Sequence, residues 1–345
     1  MKICILGATG LVGRETLDLV ERAWPGAELQ LYASRDQAIE HADGRRLPVK
    51  AAQRLEAADA AGGELAFVAL DDDHSARYVP RLLDLGYRVV DKSNTYRMDP
   101  KVPLVVAGVN CDLLTSGVRL AANPNCTTIP FALVMAPLDR RWGLSRATVS
   151  TYQALSGAGV GALDEFLAAA RRAYAEPDRL GARLDPAGYT GNTVPHNGKT
   201  DESGFSSEER KLMFESRKIL GLPALPVSAQ CCRVPVAVGH YMNAWIELRE
   251  RVSLAEAASL LAEGTGAPFV RLVPGTAGEG LTALAGVHDR DRALVGRMRL
   301  DPRGGEGTAL CLTITADNLR LGAATNAVRM ASRWFPAADP DLRLP

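Results

Sequence analysis

Gly7-Ala8-Thr9-Gly10-Leu11-Val12-Gly13 stands between an apolar run, residues 3–6, and a helical pattern, residues 11–23. No other feature narrows the possible folds as much. Gly7 permits a tight turn. Gly10 lets the backbone approach a pyrophosphate, which the helix N-terminus then stabilises. Gly13 lets helix and strand pack closely. Purely structural glycine turns share this spacing, so its weight comes from the elements downstream. Residues 29–33, 65–70 and 88–90 read as further strands, with a helical pattern at 76–85. Strand–helix–strand repetition predicts an α/β domain with a mostly parallel sheet covered on both faces, a Rossmann-like arrangement.

The second strand bears on the choice of dinucleotide. An NAD site usually places Asp or Glu at its end to bond the ribose 2′-hydroxyl. This chain has Leu31-Tyr32-Ala33-Ser34-Arg35. The Ser34 hydroxyl and the Arg35 guanidinium suit a 2′-phosphate, which predicts NADP. Asp36 follows directly and would serve NAD, so that alternative stays open.

Past Pro124 the pattern changes. Residues 126–135 read as a helix start, 148–152 as a strand and 161–175 as a helix. The Gly/Pro/Asn-rich stretch 185–204 reads as a long connection. A helix at 208–220 stops at Gly221. Later strand candidates are 232–238, 244–249, 293–300 and 310–314. This region predicts an α+β unit with a mixed or antiparallel sheet. Residues 322–334 read as a final amphipathic helix, with Ala323, Ala327 and Met330 packing it back on the first domain.

Composition excludes several classes of function. The 345 residues include 40 Lys plus Arg and 40 Asp plus Glu, so formal net charge is zero. Nothing there attracts a polyanion over long range, and neither nucleic acid nor a membrane surface is an expected partner. No apolar run has the length of a bilayer span. The N-terminus enters the first strand directly, unlike a signal peptide. The 6 cysteines form no CxxC pair, and Cys231 and Cys232 are adjacent. Free thiols in a reducing compartment, the cytoplasm, are the simpler account. The 5 histidines are scattered, so no metal is expected.

Asn123-Pro124-Asn125-Cys126-Thr127-Thr128-Ile129-Pro130 delivers a cysteine to a helix start. Pro130 is tolerable only in the first turn, which supports a start near Cys126. Unpaired N–H groups there favour a thiolate and can stabilise an oxyanion. The bland alternative is a buried cysteine acting as a small hydrophobe. A thiolate beside a reduced nicotinamide suggests acyl chemistry: displacement of a leaving group to form a thioester, then reduction to an aldehyde. Residues 232–240 supply candidate partners. His240 titrates near neutrality and suits proton transfer, and Gly239 is expected to end a strand and expose it. Arg233 can grip a carboxylate with two prongs. Each also has an ordinary reading, as a structural partner or a salt bridge. Glu208 and Lys211 lie i,i+3 on one helix face, where a solvated ion pair is the ordinary reading.

With these residues in place, the chain resembles the aspartate-semialdehyde dehydrogenase family over essentially its full length. The matching segments are GATGLVG at 7–13, NPNC at 123–126, TYQALSGAG at 151–159, PH at 195–196, EERKLMFESRKI at 208–219, RVPVAVGH at 233–240 and DNLRLGAATNAVRMA at 317–331. The resemblance implies NADPH-dependent reduction of L-aspartyl 4-phosphate to L-aspartate 4-semialdehyde with release of phosphate. It identifies Cys126 as the nucleophile, His240 as the acid/base and Gln153 as an orienting group. It implies Arg233 for the substrate carboxylate, Glu208 for its ammonium, and Lys211 and Arg97 for phosphate, with Asn125 beside them. It places Ser156, Gly157, Ala158 and Gly159 against the cofactor, along with Gly7, Thr9, Gly10, Leu11, Val12 and Gly13, and Asn326 near the nicotinamide. It also implies a homodimer, or a homotetramer. The expected domains are 1–122 for NADP, 123–320 for catalysis and dimerisation, and 321–345 as a returning helix.

The chain departs from the family in three places. A usual Ser-Ala-Gly after the third strand is replaced by the stretch from Val68 to Asp73, which ends in Asp71-Asp72-Asp73, an awkward cluster beside a pyrophosphate. Pro-Glu-Val-Asn is Ala107-Gly108-Val109-Asn110, and Gly-His-Ser-Glu is Gly239-His240-Tyr241-Met242. Rival readings are N-acetyl-glutamyl-phosphate reductase, which favours a Gly-Cys-Tyr setting absent here, a malonyl-coenzyme-A-type reductase, and a non-catalytic nucleotide-binding protein. The joint presence of Cys126, Gln153, Arg233 and His240 speaks against the last.

Overall fold

The computed structural model describes residues 1–41, 43–56, 62–175, 184–195, 198–263, 268–275 and 278–344, with residue 306 described in its backbone only. They form two compact units, Met1–Asn125 with Ala323–Pro345, and Cys126–Gly322.

The first unit is built on a sheet of order β3-β4-β2-β1-β5-β6-β7. Its elements are β1 (Lys2–Leu6), α1 (Leu11–Ala23), β2 (Glu28–Ala33), β3 (Gln37–Glu40), β4 (Arg46–Ala51), β5 (Leu65–Val68), α2 (Asp72–Asp84), β6 (Arg88–Asp91) and β7 (Leu120–Ala122). All pairings are parallel except the β3–β4 hairpin at one edge. β1 is buried along Ile3–Leu6 because both faces of the sheet are covered, as parallel sheets require. Leu17 and Val20 of α1 pack on one face and Tyr78, Val79 and Leu82 of α2 on the other.

The structure corrects two expectations between β5 and β6. The strand at 65–70 ends at Val68, because Ala69 turns away under Gly7; a Cβ on Gly7 would meet the Ala69 carbonyl oxygen at 2.3 Å. The helix expected at 76–85 begins at Asp72 instead. Asp71 caps it by accepting from the His74 N–H at 2.9 Å, and Asp72 and Asp73 occupy the first turn. Carboxylates are favourable at a helix N-terminus, so the acidic cluster is a helix start. The His74 N–H holds the Asp71 carboxyl below its usual range.

The second unit opens with α3 (Thr128–Trp142), β8 (Leu144–Gln153), α4 (Val160–Ala173), β9 (Val194–Pro195) and α5 (Ser207–Leu220). It continues with β10 (Val227–Arg233), β11 (His240–Leu248), α6 (Leu254–Ala262), β12 (Val270–Leu272), α7 (Ala283–His288), β13 (Ala293–Leu300) and β14 (Ala309–Ala316). The sheet runs β12-β13-β14-β11-β8-β10-β9 and is mixed, as expected. β8 and β10 are parallel neighbours, whereas β11 is antiparallel to both β8 and β14. At one end of the sheet β8, β10 and β14 therefore finish where β11 begins. The apolar α3 lies on this sheet against β8, β11 and β14.

The strand expected at 232–238 is displaced. β10 ends at Arg233, and the chain then bends, with the Val236 N–H bonding the Val234 carbonyl at 2.8 Å. Pro235 has no N–H to continue a ladder, which accounts for the break. The amphipathic helix expected at 322–334 is also revised. A π-helical segment, Arg320–Thr325, leads into α8 (Asn326–Ser332), whose residues are all buried. It has no solvated face because its polar groups find partners inside the first unit. Arg329 Nε bonds the Asp341 carbonyl at 3.1 Å, and Asn326 Nδ2 bonds the Val105 carbonyl at 3.0 Å.

Candidate active site

In the first unit the glycine turn has little room for side chains. Gly7 adopts φ 82°, and the Gly7 and Ala8 N–H groups bond the Tyr32 carbonyl at 2.9 and 3.1 Å, tying the turn to the end of β2. A Cβ on Gly13 would lie 2.0 Å from the Gly7 carbonyl oxygen, so strand end and helix touch there. The Thr9 carbonyl accepts from Arg14 Nε at 3.3 Å. Leu11, Val12 and Gly13 form the first turn of α1, where backbone N–H groups have no helical partners and can meet an anion. This cradle fits a dinucleotide pyrophosphate. Ser34 and Arg35 lie exposed just past the end of β2. The Asp36 carboxylate is committed elsewhere: it accepts from the Ala51 N–H at 2.7 Å and pairs with Arg54 at 2.6 Å. Arg35, not Asp36, is therefore the side chain available to a ribose substituent.

Arg97 and Asn125 are buried in the same unit, and Arg97 Nη2 donates to the Lys92 carbonyl at 2.7 Å. Asn326 spends its amide within the protein. Besides Val105, its Nδ2 donates to Asn123 Oδ1 at 2.8 Å, while its Oδ1 accepts from the Ala107 N–H at 2.8 Å. It thereby braces the turn that leads to Cys126.

In the second unit, Cys126 stands in a turn two residues ahead of α3, whose first residue is Thr128 and whose first turn holds Pro130. The helix start expected at 126 is thus shifted by two residues, and the cysteine precedes it. Cys126 Sγ lies 3.1 Å from His240 Nε2. The Ala154 N–H donates to His240 Nδ1 at 3.1 Å, which directs the hydrogen of a neutral ring to Nε2, facing the sulfur. His240 is 0% exposed, contrary to the exposure expected from Gly239. It begins β11 inside the sheet and only its ring edge meets the nucleophile. In the other five cysteines burial disfavours the thiolate. Burial pushes the Cys111 thiol up to about 11 and that of Cys231 to about 12, and it raises those of Cys4, Cys232 and Cys311.

The same end of the sheet gathers the remaining groups. Gln153 and Arg233 are paired at the ends of β8 and β10. Gln153 Nε2 bonds Thr151 Oγ1 at 3.2 Å, and Arg233 Nη1 donates to the Ala154 carbonyl at 2.7 Å. The Ala154 residue thus holds His240 with its N–H and Arg233 with its oxygen. Ser156, Gly157 and Ala158 form a short helical turn ending at Gly159. A Cβ on Gly157 would come 3.0 Å from Arg233 Nη1 and 3.4 Å from His240 Cε1, so a side chain here would crowd both.

Glu208 is 5% exposed near the N-terminus of α5, and Lys211 Nζ donates to it at 3.4 Å. The pair is half-buried, unlike the solvated pair of the ordinary reading. Sequence reasoning missed the residue that places it. Glu209 accepts from the Ser206 N–H at 2.7 Å and from the Cys231 N–H at 3.0 Å, fastening α5 to β10. The Ser-x-x-Glu capping pattern was the available signal. Gly322 was also missed; a Cβ there would sit 2.9 Å from Cys126 Cβ. His196, part of the PH segment, lies outside the described residues. Among the described residues no cluster of side chains could hold a metal ion, and no helix is long and apolar enough to cross a membrane.

Comparisons with known proteins agree with this division. Residues 2–116 match the family model described as semialdehyde dehydrogenase, NAD binding domain, and residues 135–321 match the one described as semialdehyde dehydrogenase, dimerisation domain. The chain is 36% identical to an aspartate-semialdehyde dehydrogenase of Mycolicibacterium smegmatis, covering 96% of this chain and 98% of the relative. It is 35% identical to that of Aquifex aeolicus, covering 96% of each. Its fold is similar to that of aspartate semialdehyde dehydrogenase II of Vibrio cholerae, solved in complex with ASA. The TM-score is 0.84 at 29% identity, over 96% of this chain and 97% of that one.

Proposed function

The chain belongs to the aspartate-semialdehyde dehydrogenase family, and from that premise we propose how its residues divide the work. It is an NADP-dependent oxidoreductase that reduces L-aspartyl 4-phosphate to L-aspartate 4-semialdehyde and phosphate through a cysteine intermediate. The single observation that carries the reading is the contact of Cys126 Sγ with His240 Nε2 at 3.1 Å.

Cys126 Sγ attacks the acyl carbon; the carbon–sulfur bond forms, the bond to the phosphate oxygen breaks, and the substrate is held as a thioester. A nicotinamide, when bound, would supply the hydride; as the C–H bond forms the carbon–sulfur bond breaks, which releases the aldehyde and returns the Cys126 thiolate. His240 holds a hydrogen at Nε2 beside the sulfur and is the group placed to exchange it as charge builds and decays there. The net reduction consumes one proton, and His240 is the titratable partner in contact with the reacting atom. Gln153 orients the reacting groups. Arg233, already fixed by Ala154, receives the substrate carboxylate. Glu208 receives the ammonium, and Lys211 and Arg97, with Asn125, receive the phosphate. Charge-assisted bonds of this kind contribute roughly 1.5–3 kcal/mol each once desolvated.

For the cofactor, Gly7, Thr9, Gly10, Leu11, Val12 and Gly13 hold the pyrophosphate and Ser34 and Arg35 the 2′-phosphate. The family resemblance would assign Ser156 to Gly159 to the cofactor as well, and Asn326, whose Nδ2 donates to Asn123 Oδ1, to the nicotinamide. The working assembly is a homodimer or a homotetramer. The protein is cytoplasmic, a reading supported by 6 free cysteines.

The test is phosphate-dependent NADP reduction by L-aspartate 4-semialdehyde, with NAD and with N-acetyl-glutamate semialdehyde run in parallel. Turnover of the first pair alone is expected. Preference for the acetylated substrate would overturn the assignment of Glu208.

A further inference from the structure

We infer that Asn318 is a positioning residue, which sets the His240 ring and the 156–159 turn in place beside Cys126. The inference rests on the reading of Cys126 and His240 as the reacting pair. Asn318 follows the end of β14, is 3% exposed, and makes no use of its side chain in secondary structure. Its Oδ1 accepts from the Gly239 N–H at 2.9 Å, and its Nδ2 donates to Ser156 Oγ at 2.9 Å. One amide therefore joins the residue preceding the histidine to the turn that packs on the histidine.

Both ends of that link bear on one imidazole. On one side Gly239 adopts φ 97°, where a Cβ would lie 2.4 Å from the Ala283 carbonyl oxygen. The turn thus has no side chain of its own to anchor it, and the Asn318 bond holds its N–H. On the other side the turn at Ser156 follows Ala154, whose N–H bonds His240 Nδ1. Gly157 of the same turn lies against the ring.

Asn318 can act this way because its own segment is immobilised. Asp317 is fully buried, pairs with Arg290 at 2.9 Å, and accepts from the Leu319 and Arg320 N–H groups at 2.8 and 3.0 Å. The Gly322 N–H returns to the Asp317 carbonyl at 3.0 Å, and Gly322 packs on Cys126. Residues 317–322 thus touch the nucleophile at one end and brace its histidine at the other. An amide suits the position because it offers an acceptor to Gly239 and a donor to Ser156 together. Removing it leaves buried partners at both sites and loosens the ring by the fraction of an ångström that matters for reaction geometry.

The experiment compares wild type, Asn318→Ala and Ser156→Ala, the last removing one of the two ties. Three quantities are read: steady-state turnover, the pH profile of Cys126 alkylation by iodoacetamide, and the thermal midpoint. For Asn318→Ala, kcat is expected to fall by about 10²-fold, as for a small misplacement of reacting groups. KM for the semialdehyde is expected to stay near wild type, and the alkylation profile to move as the sulfur loses its fixed ring partner. Ser156→Ala is expected to show a smaller effect of the same kind, and it decides the matter should Asn318→Ala fail to fold. A folded Asn318→Ala enzyme with wild-type kcat and an unmoved alkylation profile would overturn the inference. Alkylation needs neither substrate nor cofactor. If wild type proves inactive on aspartate semialdehyde, the substrate reading fails, and the profile still judges Asn318.

Discussion

The two units assemble their chemistry in opposite ways. In the first, the nucleotide cradle is one uninterrupted stretch from Gly7 to Gly13, made by a strand end, a turn and a helix start. In the second, Cys126, Gln153, Arg233, His240 and Asn318 come from separated segments. They meet because β8, β10 and β14 end where β11 begins. A contiguous site depends on local backbone geometry. A convergent site depends on the ties that hold its contributors in register, so residues remote from the substrate matter there.

This contrast breaks most sharply at Cys126. Cys126→Ala is expected to lower turnover by at least about 10³-fold, the scale of losing a nucleophile. NADP affinity, measured by fluorescence quenching or calorimetry, is expected to stay at the wild-type value. Loss of NADP binding would show that the two units do not work separably.

His240→Asn is expected to cost about 10²–10⁴-fold in kcat, the usual range for an acid/base group. NADP binding should again persist, and Cys126 should remain alkylatable with an altered pH profile. An unchanged kcat would remove His240 from the chemistry.

A substitution in the first unit, just past the end of β2, should show the reverse pattern. Arg35→Asp is expected to raise KM for NADP by roughly 10–100-fold, the loss of a charge-assisted contact to phosphate. KM for NAD and Cys126 alkylation should hold. The commitment of Asp36 to Ala51 and Arg54 explains why the native chain offers NAD no equivalent carboxylate. Unaltered NADP preference would exclude Arg35.

The smallest expected effect concerns Lys92, whose Nζ meets Thr16 Oγ1 of α1 at 2.5 Å. Burial lowers its pKa from 10.5 to about 7, with the Asp91 charge opposing. Below pH 7 folded and unfolded chains both carry this proton. Between pH 7 and 10.5 only the unfolded chain does, so this group's contribution to stability rises with pH across that window. Lys92→Met is expected to flatten the rise, as measured by urea unfolding at the two ends of the window. Parallel curves for the two proteins would show that Lys92 stays charged.

Much of this was legible in the sequence. The bounds of α1 and β13 were read to the residue, and for α1 Gly10 marks the start locally. The glycine turn and the candidate nucleophile were also visible. The short strands β3, β4 and β7 were not, since such segments carry little periodicity and exist through pairing. The strand expected at 232–238 failed at Pro235. Asp71 to Asp73 read as a liability because their partner, a helix start, was placed too late. Asn318 falls within a family-matching segment yet carried no role in the sequence, since its partners Ser156 and Gly239 lie far from it in the chain.

Residue types and local spacing determined the alternating α/β pattern, the glycine turn proposed for the pyrophosphate, the choice of Ser34 and Arg35 as candidates for the 2′-phosphate, and the choice of Cys126 as nucleophile candidate. Each of these depends on interactions within a few residues. Tertiary structure alone decided that His240 is buried yet touches the sulfur, that Asp36 is occupied, and that Ala154 holds both His240 and Arg233 through its backbone. The reason is physical. Burial and hydrogen-bond partnership are properties of strands brought side by side, and no local pattern records which strand ends will meet.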